Sequence, residues 1–230
     1  ILETRNPAWI EMFTFVVNIY TIYPGTVNVS TNKANEAAEI FREHGGLLRT
    51  TEARELGIHP RVLYHLRDTG RLNRLSRGVY RLAELPPMEH PDLAVVAARA
   101  PEARISLLSA LAFHELTTEI PHEVYVTLPR GRRAPSLDYP PLRVFHVSGD
   151  ALTAGVEHYN MEGVDVSIYN PAKTVADCFK FRGQIGTSVA VQALRSYLDK
   201  RPSPVADLLR YARLCRVDRV MQPYLEALTA

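Results

Sequence analysis

An α+β protein is what the sequence predicts, and three observations predict it. Between Ser30 and Gly70, three short helical periodicities are cut by glycines at 45–46, 57 and 70. Two runs of strand composition follow at once, Arg71–Leu75 and Val79–Leu82, parted by Ser76-Arg77-Gly78. Beyond a Leu85-Pro86-Pro87 linker signal, strand-like runs alternate with apolar helical segments, and the chain closes on helices. At 46% hydrophobic and 23% charged residues over 230 positions, the composition suits a buried core and excludes disordered, collagen-like and coiled-coil classes.

The elements follow in chain order. Residues 1–30 are set apart as an extension of uncertain status, since the chain opens on Ile1 and its first methionine is Met12. Within it, Phe13–Tyr23 is too short to span a bilayer and lacks the basic flank of a secretory signal, so it reads as a strand or as sequence upstream of the true start. Ser30 or Asn32 can cap a helix over Ala34–His44, with Ala37, Ile40 and Phe41 on one face. Gly45-Gly46 stops it, and Leu47-Leu48 reads as an apolar connector. A second helix spans Glu52–Leu56 and stops at Gly57. Pro60, whose missing N–H costs nothing at a first helical position, opens a third that runs to Thr69. Gly78 supplies the positive φ that a tight hairpin needs. Three helices and then a basic hairpin make residues 31–84 a winged helix-turn-helix.

Charge concentrates on that element. The chain carries only +2 in total, yet His59–Leu82 holds six arginines against the single acid Asp68, a local +5 that leaves −3 for the remainder. Such concentration is the electrostatic footprint of phosphate binding. All six are arginine, which forks onto phosphate or guanine where lysine is a point charge. Periodicity places Val62, Leu63 and Leu66 against the first two helices, and turns Arg61, Tyr64, His65 and Asp68 outward. Arg61, Tyr64 and His65 are expected to meet base edges in the major groove. Arg67 and Arg71 are expected to hold phosphates, Arg77, at the hairpin tip, to reach the backbone or minor groove, and Arg74 to join them in DNA binding. A solvated basic face is the bland alternative, and it ranks second because charge, helix order and hairpin agree.

The second half, 88–230, reads as a mixed α/β domain with a helical end. Pro91–Ala98 and Leu107–Leu116 read as helices. Glu123–Leu128, Leu142–Val147 and Val164–Tyr169 read as strands, with a further candidate at Val156–Met161. Asn170 can cap, and Pro171 start, a helix to Phe181; helices at Thr187–Leu198, Val205–Leu214 and Val217–Leu228 finish the chain.

Two stretches carry a resemblance. Ala38–Leu82, with GGLLRTTEARELGI and RLNRLSRGVYRL, resembles the N-terminal winged helix of AbiEi-type antitoxins of type IV toxin–antitoxin systems. Tyr169–Arg182 (YNPAKTVADCFKFR) is similar to a signature of that family's C-terminal domain, and gives Asn170, Pro171, Lys173, Thr174 and Asp177 as antitoxin-domain residues. The resemblance implies a cytoplasmic repressor that binds inverted repeats in its own promoter. It further implies a C-terminal domain that counteracts a cognate nucleotidyltransferase toxin without a stable complex, and a protein that needs no cofactor or metal and is not an enzyme.

Catalytic signals are sparse. No glycine-rich run precedes Lys173-Thr174, and no G-x-S-x-G is present. His114-Glu115 and His122-Glu123 miss the spacing of a zinc protease. Lys173 and Asp177, four residues apart, read as a surface pair on a capped helix. Cys178 reads as a small core residue, and two cysteines in all suit a reducing compartment. Arg130, Arg132 and Arg133 form a second basic patch, for which a solvated loop is favoured over a nucleic-acid contact. Two other classes stay open: a transcription factor with a ligand- or protein-binding C-terminal domain, and a DNA-targeted nuclease-like enzyme. Against the latter stands the lack of paired carboxylates with a following lysine.

Overall fold

The computed structural model describes residues 30–200 and 205–229, so the strand expected at Phe13–Tyr23 lies outside them. Helix α1 (Thr31–Glu43) starts where Ser30 Oγ accepts from Lys33 N, and buries Ala34, Ala37, Ala38 and Phe41 along one stripe. Helices α2 (Thr50–Glu55) and α3 (Pro60–Asp68) follow. Glu52 reaches back to the Arg49 backbone N–H at 2.8 Å to cap α2, and the His59 ring accepts from Arg61 N at 3.2 Å to cap α3. Strands β2 (Leu72–Ser76) and β3 (Val79–Leu82) form the hairpin, with Gly78 at φ 77° in its turn.

The expected connector Leu47-Leu48 is instead a strand, β1 (Leu47–Arg49). It pairs antiparallel with β3, giving a three-stranded sheet in the order β1-β3-β2. Its three residues are too few for a period of two to show. Pairing with β3 satisfies the backbone groups and makes it a strand. Phe41, Leu48, Ile58, Leu63, Leu66, Leu72, Tyr80 and Leu82 fill the core beneath.

The C-terminal half is built on a five-stranded mixed sheet. Helix α4 (Pro91–Arg99) leads into β4 (Arg104–Ile105), helix α5 (Leu107–Phe113), β5 (Val124–Pro129) and β6 (Leu142–Val147). A short helix α6 (Asp150–Thr153) precedes the hairpin of β7 (Val156–Met161) and β8 (Val164–Tyr169). The order is β6-β5-β4-β8-β7, with the β5–β6 and β4–β8 pairs parallel. Both faces are covered, so β5 alternates its allegiance: Val124, Val126 and Leu128 pack towards α4, and Tyr125 towards the helices opposite. Those are α7 (Pro171–Lys180), α8 (Arg182–Ile185), α9 (Thr187–Lys200), α10 (Val205–Cys215) and α11 (Asp218–Thr229).

The two halves meet in three ways. Leu47 and Val79 of the small sheet pack on Ala94 and Ala98 of α4. Gly45, after α1, touches Gly163 in the β7–β8 turn so closely that a Cβ on Gly45 would lie 2.6 Å from the Gly163 nitrogen. Both have positive φ as well, so two separate constraints select glycine there. Third, the Arg81 guanidinium makes a two-pronged ion pair with Glu162, at 2.5 and 2.6 Å, and donates to the carbonyls of Leu85 and Pro86.

Candidate nucleic-acid interface

The outward side of α3 and the adjoining hairpin make one basic surface. Val62, Leu63 and Leu66 are buried, which turns Arg61 and Tyr64 to solvent and leaves His65 half-buried. Tyr64 is 45% exposed, a high value for a large aromatic on a packed helix. Arg67 crosses its ring at 5.3 Å and holds Asp68 at 2.7 Å, so the one acid on this face is neutralised within the face itself. Arg71, just after α3, donates to Asn35 at 2.9 Å and so stands at the α1 side. Arg74 and Arg77 are exposed on the hairpin. Tyr64, Arg67, Arg74, Arg77 and Gly78, with Thr50 and Tyr80, line a single cleft between helix and hairpin. Three guanidiniums and two tyrosines around one concavity offer planar donors and an aromatic face to a passing anionic strand.

One of the six arginines does not belong to this surface. Arg81 is 6% exposed and faces the C-terminal half, where Glu162 neutralises it. Strand alternation shows that Arg81 does not share a face with Tyr80, but its partner 81 residues downstream has no local signal. The hydrogen bond that Arg81 donates to the Glu162 carboxylate raises the guanidinium pKa further, so this charge is permanent.

The second set of expected residues behaves differently. Asn170 caps α7, its side chain accepting from Lys173 N at 2.9 Å, and Pro171 opens the helix. Lys173 and Asp177 do not form a surface pair: they are 0% and 1% exposed and meet at 2.5 Å inside the core. Apolar Ala172, Val175, Ala176, Cys178 and Phe179 take one side of α7 and the polar pair takes the other, the pattern of a surface helix, yet every residue from Pro171 to Phe179 is buried because other elements cover the polar side too. The Lys173 ammonium also sits 4.0 Å over the Tyr169 ring, and Cys215 donates its S–H to Asp177 at 3.3 Å. Thr174 is buried and donates to the Tyr169 carbonyl at 3.0 Å. Cys178 is fully buried as expected, and burial raises its thiol pKa; burial likewise pushes the Cys215 thiol up to about 12. The fold itself supplies the partners of this cluster.

A cleft of about 820 Å³ lies between the halves, bounded by α1, β1, α2, α4 and the β7–β8 turn. Glu43, Glu52, Glu55 and Asp165 line it together with Arg49 and His44, and Arg49 pairs with Glu52, so its lining is acidic on balance and disfavours a polyanion. Among the described residues no group of three or more histidines, cysteines and carboxylates is placed to hold a metal ion, and no helix is long and apolar enough to cross a membrane.

Residues 35–83 match the model of a family described as transcriptional regulator, AbiEi antitoxin. The matched segment holds α1 to β3 with every residue of the basic surface, and bears out the resemblance read in Ala38–Leu82. This AbiEi-like segment is a winged helix in the structure, and the described residues that follow it form the mixed α/β region with a helical end that the sequence predicts. The match does not extend to Tyr169–Arg182. A crystal structure of the RV2827C protein from Mycobacterium tuberculosis is similar in fold, with a TM-score of 0.52 at 13% identity, over 85% of this chain and 81% of that one. No curated protein sequence matches the chain.

Proposed function

We propose that the chain is a DNA-binding transcriptional repressor and antitoxin of a type IV toxin–antitoxin system, acting in the cytoplasm and not an enzyme. One observation carries this reading: the segment similar to AbiEi regulators gathers Tyr64, Arg67, Arg74 and Arg77 around a single open cleft. In this reading residues 31–84 are the DNA-binding domain and 88–230 the antitoxin domain. Arg67, Arg71, Arg74 and Arg77 take phosphates and set register, while Arg61, Tyr64 and His65 read base edges. The target is double-stranded DNA in its own promoter, with inverted repeats about one helical turn apart. The antitoxin domain counteracts a nucleotidyltransferase toxin without a stable complex. Asn170, Pro171, Lys173, Thr174 and Asp177 serve that domain by holding α7 in its core rather than by touching the toxin.

A second reading, a ligand-responsive regulator, draws on the acidic cleft between the halves. The two part at the genetic level, because only the antitoxin reading requires a toxic nucleotidyltransferase gene beside this one. The test joins a promoter reporter to co-expression of that neighbouring gene. Replacing Arg61, Arg74 and Arg77 together by alanine is expected to relieve repression while protection from the toxin persists. Loss of protection together with repression, in protein that remains folded, contradicts the division of labour.

A further inference from the structure

The basic track does not stop at the wing. Arg99, in the last turn of α4, is exposed, and its Nη1 lies 3.6 Å from the position a Cβ on Gly78 would take, at the hairpin turn. Its Nη2 donates to the Ser136 carbonyl at 3.4 Å. Ser136 belongs to the β5–β6 loop, which begins with Arg130, Arg132 and Arg133. Arg130, Arg132 and Arg133 are all exposed. Arg99 therefore joins the wing tip to the loop that the sequence alone reads as solvated. None of the three loop guanidiniums has a carboxylate partner among the described residues, whereas Arg42, Arg49 and Arg143 elsewhere on the surface each have one.

The loop is also held in place. Arg130 N donates to Val147 O and Arg132 N to Pro129 O, both at 3.1 Å, and the His146 ring bonds the Arg132 carbonyl at 2.8 Å. The wing is fixed to the same half through Arg81–Glu162 and the Gly45–Gly163 approach, so the spacing between wing and loop is set by the fold. The stretch from Ser136 back to Arg133 reaches at most about 11 Å. Arg130, six residues from Ser136, lies at most about 22 Å from it, so all three loop arginines stay within one ~34 Å helical-turn length of the Arg99 bridge to the wing.

We propose that Arg130, Arg132 and Arg133, joined to the wing by Arg99, are a second phosphate-binding element for the duplex held by the winged helix. This rests on the DNA reading above and extends it: the C-terminal half contributes sequence-independent affinity while α3 supplies the preference.

The experiment is a salt titration of the full chain by fluorescence anisotropy, on a duplex from upstream of its own gene and on a scrambled duplex of equal length. The R130A/R132A/R133A variant is compared with wild type and with R77A, and coincident melting curves establish that each is folded. Each phosphate that goes unneutralised should take about 0.9 off the slope of log K against log salt, so the triple variant should drop by about two to three on both duplexes, with their affinity ratio unchanged. A triple-variant slope equal to wild type, while R77A still drops by about one, overturns the proposal and leaves the winged-helix reading standing. Unchanged DNA binding without protection from the toxin overturns it too, and gives the loop to the antitoxin role. Failure of the wild type itself to bind either duplex removes the DNA reading and the loop proposal with it.

Discussion

The wing and α7 treat positive charge in opposite ways. Arg74 and Arg77 stand in solvent beside a cleft, and among the described residues no carboxylate answers them. Lys173 is sealed in the core with Asp177 one turn away and the Tyr169 ring over its ammonium. The same chemical resource is structural in one place and available in the other. A cation sealed in the core with its partner has its work inside the fold, and a cation presented on a shaped surface is complementary to something outside it. Arg81 sharpens the contrast, since it lies on the wing's own strand yet belongs with Lys173 by burial and pairing.

That comparison can be broken in several places. The largest effect is expected at α7. Lys173→Met strands the Asp177 carboxylate in the core and should lower stability by about 3–5 kcal/mol, read from the urea midpoint, whereas Lys173→Met with Asp177→Leu should recover most of that stability. Wild-type stability in the single variant would place the pair outside the structural class. Next comes Glu162→Ala, which leaves Arg81 buried without its counter-ion. Because the Glu162 side chain is 24% exposed, the cost should sit near the lower end, about 3 kcal/mol, in the same measurement. On the open surface, stability should hold and binding should change instead. Arg61→Ala should weaken operator binding by about 1–3 kcal/mol and relax the preference at one base position in a binding selection; a uniform weakening over all positions assigns Arg61 to phosphate. The smallest change is expected for Arg77→Ala, a weakening on every sequence alike that takes about one off the salt slope.

Local patterns in the sequence carry the winged helix far. Glycines at 45, 57, 70 and 78 all adopt positive φ, and Pro60 and Pro171 sit at helix starts, because these residues act through their own backbones. Val62, Leu63 and Leu66 are legible because a helix period repeats within nine residues. Features that depend on distant partners are not legible. Strand β1 exists through β3, the two residues of β4 through β5 and β8, and the role of Arg81 through Glu162. Lys173–Asp177 reads as a surface pair because i,i+4 spacing is the same on a surface helix and a buried one; what buries it, with Cys215 bonding Asp177 from 38 residues away, leaves no local pattern. The approach of Arg99 to Gly78 arises from the packing of α4 on the small sheet, which no local pattern encodes.

The central claim is that the open arginines of the winged helix grip duplex DNA, and its most direct test is the affinity of the full chain for the DNA upstream of its own gene as salt is raised. One phosphate for each of Arg67, Arg71, Arg74 and Arg77 requires tight binding at low salt and a log–log slope at least as steep as about −3.6. No binding at low ionic strength, or binding indifferent to salt, contradicts it.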